Sequence, residues 1–306
     1  MGASRIGIIG TGWVGSSVAI SLLHSGVARE LLLADRRPGL AEGEAMDLAH
    51  GSSFYPAADV RAAPLEEMCD VDALVLAAGR GGRPEETRLA LLRDNAGVAR
   101  SIGEALRGYR GLIVVVSNPV DVLTKVVRDS SGLPPERVIG TGTMLDTARL
   151  RHLVGRELGL DPRSVHAQVV GEHGDSQVAL WSSALAGGRP LRAWPGWSAQ
   201  REAGIGFEVR RAAYDIVARK GATNHAIGLV TAALLRWMLR GERRVLTVSR
   251  VQSESLGLGD VALSLPTVVG PEGATEVVLP QANAAEAAAL AASARIVAGA
   301  LRDLAA

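Results

Sequence analysis

Short apolar runs alternate with helix-length segments through the first half of the chain. Arg5 to Ile9, Glu30 to Ala34, Ala73 to Ala78 and Leu112 to Val116 read as strands, the last two bounded by Gly or Asn. Helical segments lie between them: Trp13 to His24, Leu40 to Ala49, Thr87 to Leu106 and Val120 to Arg128. Strands separated by helices of this length predict βαβ units and a parallel sheet. The pattern changes near Gly142. A helix is predicted over Met144 to Leu158, a strand over Val165 to Val170, and a long helical region over Ser198 to Arg240 that Gly221 interrupts. Arg244 to Leu279 is strand-rich, with turn signals at Gly257, Gly259 and Pro271–Gly273. An Ala-rich amphipathic helix over Ala282 to Leu304 closes the chain, with Leu290, Ile296, Val297 and Leu301 as its packing face.

Composition narrows the function. The chain has 306 residues, 47% of them hydrophobic, which is ample for a large core or two closely associated domains. Its 33 basic and 32 acidic residues leave a net charge of +1, so no strong field is available to recruit nucleic acid or a membrane surface. The single Cys69 excludes an internal disulfide framework and fits a reducing compartment. No signal-peptide pattern opens the chain, and no apolar run of spanning length is free of charge or Gly breaks. The expectation is a cytoplasmic enzyme.

The first predicted strand runs into Gly10-Thr11-Gly12-Trp13-Val14-Gly15, a GxGxxG pattern between a strand and a helix. Gly10 allows the tight turn, Gly12 lets the backbone approach a pyrophosphate, and Gly15 lets the helix pack on the sheet. The helix N-terminus offers unpaired N–H groups to the phosphates. The second strand ends in Asp35, 20 residues after Gly15. An acid there accepts the ribose hydroxyls and repels a 2′-phosphate, so NAD is expected over NADP, although the adjacent Arg36 and Arg37 weaken that argument. The fold class is therefore α/β: a Rossmann doubly wound parallel sheet over residues 1–142, then an α+β substrate-binding and catalytic domain over 143–306.

Six motifs resemble the lactate/malate dehydrogenase family, in its order and at its spacing. They are Met46-Asp47-Leu48-Ala49-His50-Gly51, Ala77-Ala78-Gly79, Glu86-Thr87-Arg88-Leu89, Ser117-Asn118-Pro119-Val120-Asp121, Leu145-Asp146-Thr147-Ala148-Arg149 and Gly171-Glu172-His173-Gly174-Asp175-Ser176. The resemblance covers nearly the whole chain and implies reduction of a 2-oxo acid. That reaction needs a hydride at C2 and a proton at the carbonyl oxygen. His173 is the natural proton donor, because an imidazole titrates near pH 6.5, roughly the working range. The resemblance implies that Asp146 bonds the other ring nitrogen. Arg149, three residues on, shares a helix face with Asp146, and its planar fork suits a substrate carboxylate. Arg88 would polarise the carbonyl oxygen from behind a Gly-rich loop that closes over substrate. Asn118 would orient substrate or nicotinamide. Thr223 would line the pocket from the long second-domain helix, with Ile227 packed on the nicotinamide. Cofactor contacts are expected from Gly10, Gly12, Trp13, Val14, Gly15, Asp35 and Gly79 as well. His24, His50, His152 and His225 are expected as helix-surface or packing residues, and the five Trp as packing. No pair of His is spaced for a metal, and none is expected.

One position departs from the family pattern. Six residues before Arg88, where the family's lactate enzymes carry Gln and its malate enzymes Arg, this chain has Gly82, followed by Arg83, Pro84 and Glu85. Gly82 offers no charge to a second carboxylate, and leaving that charge unpaired would cost on the order of several kcal/mol. Glu86 to Leu89 and Val245 to Ser249 look more like the lactate branch. The leading expectation is thus reversible reduction of pyruvate to L-lactate. A larger apolar 2-hydroxy acid is the runner-up, followed by malate and by a non-catalytic NAD-binding relative. The resemblance further implies a homotetramer or dimer, and a fructose 1,6-bisphosphate site at a subunit interface built from Arg151 and His166.

Overall fold

The computed structural model describes residues 4–81, 87–253 and 257–305, and of Arg88 only the backbone. In the first half, β1 (Ser4–Ile9), α1 (Trp13–Ser25), β2 (Ala28–Ala34), α2 (Pro38–His50), β3 (Asp59–Ala62), β4 (Ala73–Leu76), α3 (Arg88–Ala105), β5 (Leu112–Val115), α4 (Val120–Ser131) and β6 (Val138–Gly140) follow one another. Their strands are all parallel, in the order β3-β2-β1-β4-β5-β6. This is the doubly wound dinucleotide-binding order, which puts a crevice outside the carboxyl ends of β1 and β4. The two edge-side strands β3 and β6 escape the sequence pattern because one is only half-buried and the other is three residues long.

Both sheet faces are covered, which is why β4 and β5 are apolar at every position. Leu74, Leu76, Ile113 and Val115 pack under α3 and α4, against Ala96, Ala99, Leu123 and Val127. Ile6, Ile8, Val75 and Val114 face the other way, onto Val18 and Leu22 of α1.

The second half opens with α5 (Met144–Leu158). The run predicted as one strand over Val165 to Val170 divides into β7 (Val165–His166) and β8 (Val169–Val170), which pair in different sheets. β9 (Val178–Ala179), β10 (Leu185–Ala186) and β11 (Arg189–Pro190) complete these small sheets: β8 pairs β9, and β10 lies between β7 and β11. α6 (Ala199–Lys220) and α7 (His225–Leu239) are separated at Gly221, whose φ of 87° lies in the left-handed region open to Gly. β12 (Arg244–Val251), β13 (Ala262–Gly270) and β14 (Gly273–Val277) form an antiparallel meander, and α8 (Ala284–Ala305) ends the fold.

The meander does not stand apart. Ser249 of β12 bridges Gly140 of β6 in antiparallel sense, so among the described residues one nine-stranded sheet runs through both halves. A separate apolar cluster joins α5 to α6 through Leu150, Val154, Ile205 and Val209, with Trp181, Trp194 and Trp197 at its margin. Trp13 departs from the packing expectation and is 62% exposed.

α8 is long and apolar enough to cross a membrane by length and composition alone. Here Leu290, Ala294 and Val297 are buried in the main core, with Leu301 packed beside them. Ile296 was expected on that face but is half-exposed, because it lies about 100° around the helix from Val297.

Candidate active site

The end of β1 meets α1 in a tight crossing. Gly10 has φ 98°, and a Cβ there would sit 2.5 Å from the Ala78 nitrogen. A Cβ on Gly15 would sit within bonding range of the Gly10 carbonyl oxygen. Gly12 is open, with nothing within 4 Å of its would-be Cβ, and no side chain caps the first turn of α1. The cradle therefore presents bare backbone N–H groups at a helix N-terminus, which suits a pyrophosphate. Asp35 follows β2. Its carboxylate accepts hydrogen bonds from the backbone N–H of Thr11 and of Arg37, each at 3.0 Å. Burial alone would raise its pKa, but these backbone bonds, with the Arg37 guanidinium, hold it below the ordinary value. Arg37 itself folds back on Asp35, with Nε 3.4 Å from Oδ1. An ionised acid so fixed fits a ribose diol, and the pattern as a whole fits a dinucleotide.

The proton-handling residues come from the second half. His173 stands in the loop after β8, and its Nδ1 lies 2.6 Å from Asp146 Oδ2 in the first turn of α5. Asp146 is buried and ionised and can only accept, so Nδ1 carries the proton and Nε2 faces outward. Asp146 Oδ1 accepts from Arg149 Nη1 at 2.9 Å, along the same helix face. Burial pulls the His173 pKa down. The charge and hydrogen bond of Asp146, followed by the charge of Asp121, outweigh burial and the opposing Arg149, and the net shift is upward. Asp146 is lowered: desolvation opposes ionisation, but His173 and Arg149 prevail.

Buried hydroxyls lock α5 in this position. Thr143 Oγ1 donates to the Val169 carbonyl at 2.6 Å, and Thr147 Oγ1 accepts from the Val169 N–H at 2.9 Å. Thr147 also meets Thr247 of β12 at 3.0 Å. The two turns that carry Asp146 and Arg149 are thereby tied both to the strand leading to His173 and to the central sheet.

These groups face a cavity of about 130 Å³ that Val14, Asn118, Arg149, His173, Thr223 and Ile227 line. Asn118 follows β5 at the carboxyl edge of the sheet, ahead of a cis peptide to Pro119. Thr223 lies in the break between α6 and α7, not on a helix as expected, because Gly221 ends α6 first. Asn224 fixes that corner by donating to Ser17 Oγ of α1 at 2.8 Å. Ile227 follows in the first turn of α7.

Other sequence-predicted residues lie apart or are only partly described. Arg88 opens α3 with its backbone alone described, and Gly82 lies outside the described residues. Gly79 stands at the root of that loop with φ 157°. Arg151 turns away from the cavity, and its Nε donates to the Ala167 carbonyl at 3.0 Å, next to the exposed His166.

Sequence reading missed two anchoring residues. Asn95, buried on α3, accepts from the Arg80 N–H at 3.0 Å and donates to the Asn118 carbonyl at 3.1 Å, which joins the loop root to the substrate edge. Asp121 accepts from the His173 backbone N–H at 2.7 Å. Its signal was an acid set among Val120, Val122 and Leu123, in a stretch otherwise made for burial.

Comparison with known proteins agrees with this architecture. A model of the lactate/malate dehydrogenase NAD-binding domain matches residues 4–140, and one of the lactate/malate dehydrogenase alpha/beta C-terminal domain matches residues 143–303. The chain belongs to the lactate/malate dehydrogenase family. It is 44% identical to an L-lactate dehydrogenase of Salinibacter ruber, over 97% of this chain and 95% of that one. It is also 44% identical to an L-lactate dehydrogenase of Thermus aquaticus, over 98% and 99% respectively. Among solved structures, a ligand-bound minor L-lactate dehydrogenase from Enterococcus mundtii superposes with a TM-score of 0.95 at 37% identity, covering 98% of each chain. A lactate dehydrogenase from a Medee basin deep-sea metagenome library superposes with a TM-score of 0.96 at 36% identity, covering 100% of each chain.

Proposed function

We propose that the chain is an NAD-dependent L-lactate dehydrogenase that interconverts pyruvate and L-lactate, with residues 1–142 holding the cofactor and 143–306 the substrate. The observation that carries this reading is the Asp146–His173 pair beside Arg149 in one small cavity at the edge of a dinucleotide cradle. When bound, the reduced dinucleotide supplies the hydride that C2 of the 2-oxo acid accepts. Gly10, Gly12, Trp13, Val14, Gly15, Asp35 and Gly79 hold the cofactor, with Asn118 and Ile227 toward its nicotinamide end. Arg149 binds the substrate carboxylate by its fork. His173 donates the Nε2 proton to the carbonyl oxygen, and Asp146 stabilises the imidazolium until that transfer and fixes its tautomer. Arg88 supports the developing charge on oxygen, and Thr223 closes the wall beside the substrate.

Gly82 brings no charge for a second carboxylate, which favours pyruvate over oxaloacetate. NADH oxidation scanned across pyruvate, oxaloacetate, phenylpyruvate and 2-oxoisocaproate tests the assignment. Pyruvate is expected to give the highest kcat/KM, and preference for oxaloacetate would overturn it. A larger apolar 2-oxo acid is the second reading, because Gly82 carries no side chain where the family's lactate enzymes carry Gln.

The raised pKa of His173 sets a pH dependence. Reduction needs the charged ring, so its rate is expected to persist beyond the ordinary imidazole value of about 6.5 and to fall as pH rises through the folded pKa. Oxidation of lactate needs the neutral ring and is expected to rise over the same interval. Profiles of kcat/KM in both directions check this, and limbs centred below the ordinary value would contradict it.

We further propose a cytoplasmic homotetramer or dimer. Large exposed apolar side chains such as Met46, Phe207 and Leu229 support association. Arg151 and His166, repeated around a two-fold axis, supply four groups for the two phosphates of fructose 1,6-bisphosphate. The bisphosphate is expected to lower the pyruvate KM, measured at about pH 6 and at about pH 7.5. KM and oligomer mass unchanged at both values would remove the effector role.

A further inference from the structure

The loop that bears His173 hangs from two buried side chains on different helices. The Glu172 N–H donates to Ser293 Oγ of α8 at 2.8 Å, and the next N–H, that of His173, donates to Asp121 Oδ2 of α4 at 2.7 Å. Ser293 is fully buried and Asp121 is 2% exposed. The other Asp121 oxygen accepts from Ser249 Oγ of β12 at 2.6 Å. Both partners of this carboxylate are thus neutral donors, and among the described residues no Lys or Arg forms an ion pair with it. Holding one peptide N–H does not require a carboxylate, since a hydroxyl does so for Glu172 next door. An acid kept in a dry site without a cation is a costly choice, and this one holds the backbone N–H of the residue whose ring meets Asp146.

We propose that Asp121 is a second positioning carboxylate for His173, which anchors the loop through its peptide N–H and, when ionised, adds its negative charge to that of Asp146 in favouring the imidazolium. This rests on the reading of His173 as the proton-transfer group. Among the described residues the charged neighbours are few. His173 faces Asp146 and Arg149 from α5 and Asp121 from α4, with Glu172 adjacent to it in the chain; the cavity walls from α6, the corner and α7 contribute the uncharged Ala213, Thr223 and Ile227. Asp121 faces His173 and Glu172, with uncharged Ser249 from β12. Burial pushes Asp121 up to about 6, against the hydrogen bonds of Ser249 and His173 that favour its ionised form. Acidification through that range removes its charge while the anchoring bond to the N–H can remain. Above it, two carboxylates act on one ring.

Two variants separate anchor from charge. In Asp121→Asn the amide oxygen can accept the His173 N–H and the amide nitrogen can donate to Ser249, so the anchor persists without charge. Asp121→Ala removes both. The full-length protein with NADH bound, carrying isotope-labelled histidine, reports ring titration by NMR, with the His173 signal assigned by its loss in His173→Asn. In Asp121→Asn the His173 titration and the limb of the kcat profile for pyruvate reduction are expected to move to lower pH, with the pyruvate KM held. Asp121→Ala is expected to lose on the order of a hundredfold in kcat through misplacement of the ring. A His173 titration identical in Asp121→Asn and wild type would overturn the proposal, even if the Ala variant does not fold. Failure of the dehydrogenase reading would look different: wild type inactive on pyruvate, with a His173 titration that still responds to Asp121→Asn.

Discussion

Replacing His173 by Asn is expected to lower turnover by ~10²–10⁴-fold, because it removes the group that donates the proton. The Asn amide retains a donor in place of the Nδ1–H that meets Asp146 Oδ2 at 2.6 Å, so the buried carboxylate need not be orphaned. It has no proton to give at working pH. NADH affinity is expected to stay near that of the wild type, since Gly10 to Gly15 and Asp35 belong to the sheet edge at β1 and β2 and make no bond to His173. Steady-state NADH oxidation with pyruvate, paired with a fluorescence titration of NADH, separates the two effects. A variant that keeps most of its kcat would refute the assignment. A variant that loses NADH binding as well would indicate wider damage to the fold.

Replacing Arg149 by Leu is expected to lower kcat/KM for pyruvate by roughly 10²–10³-fold, the equivalent of about 3–4 kcal/mol, for removing one member of a buried charged pair. Two losses combine. The substrate carboxylate loses its bidentate partner, and Asp146 Oδ1 loses the Nη1 donor at 2.9 Å. Arg149→Lys is expected to fall in between, because an ammonium keeps the charge but not the planar fork. The pH profile distinguishes this variant from general damage. Arg149 opposes the upward shift of His173, so without it the ring should hold its proton to still higher pH. A rise in KM together with an upward move of the kcat limb is the expected signature. An unchanged KM would place the carboxylate contact elsewhere.

The periodicity and glycine pattern determined the βαβ alternation, the GxGxxG turn and the break at Gly221, because these depend on interactions within a few residues. A doubly covered sheet needs apolar strands, and a left-handed turn or a close backbone approach needs Gly, wherever the chain later folds. The spacing of Asp146 and Arg149 was legible for the same reason, since a helix sets which side chains share a face. The identity of the chemistry was carried by family motifs, and those are statements about residue types in order.

Only the tertiary structure decided what those residues meet. Asp146 and His173 are 27 residues apart, and their contact at 2.6 Å depends on α5 docking against the strand that leads into the loop. Thr223 reaches the cavity from a corner that Asn224 ties to Ser17, far off in sequence. Val165 to Val170 carried a plausible strand pattern but divides between two sheets, because pairing partners, not local preference, settle where a ladder stops. Asp121 was visible only as an acid in an apolar stretch. That the acid holds the His173 N–H with one oxygen and Ser249 with the other required α4, β12 and the loop to be packed together, since hydrogen bonds over 52 and 128 residues leave no periodic trace in the chain.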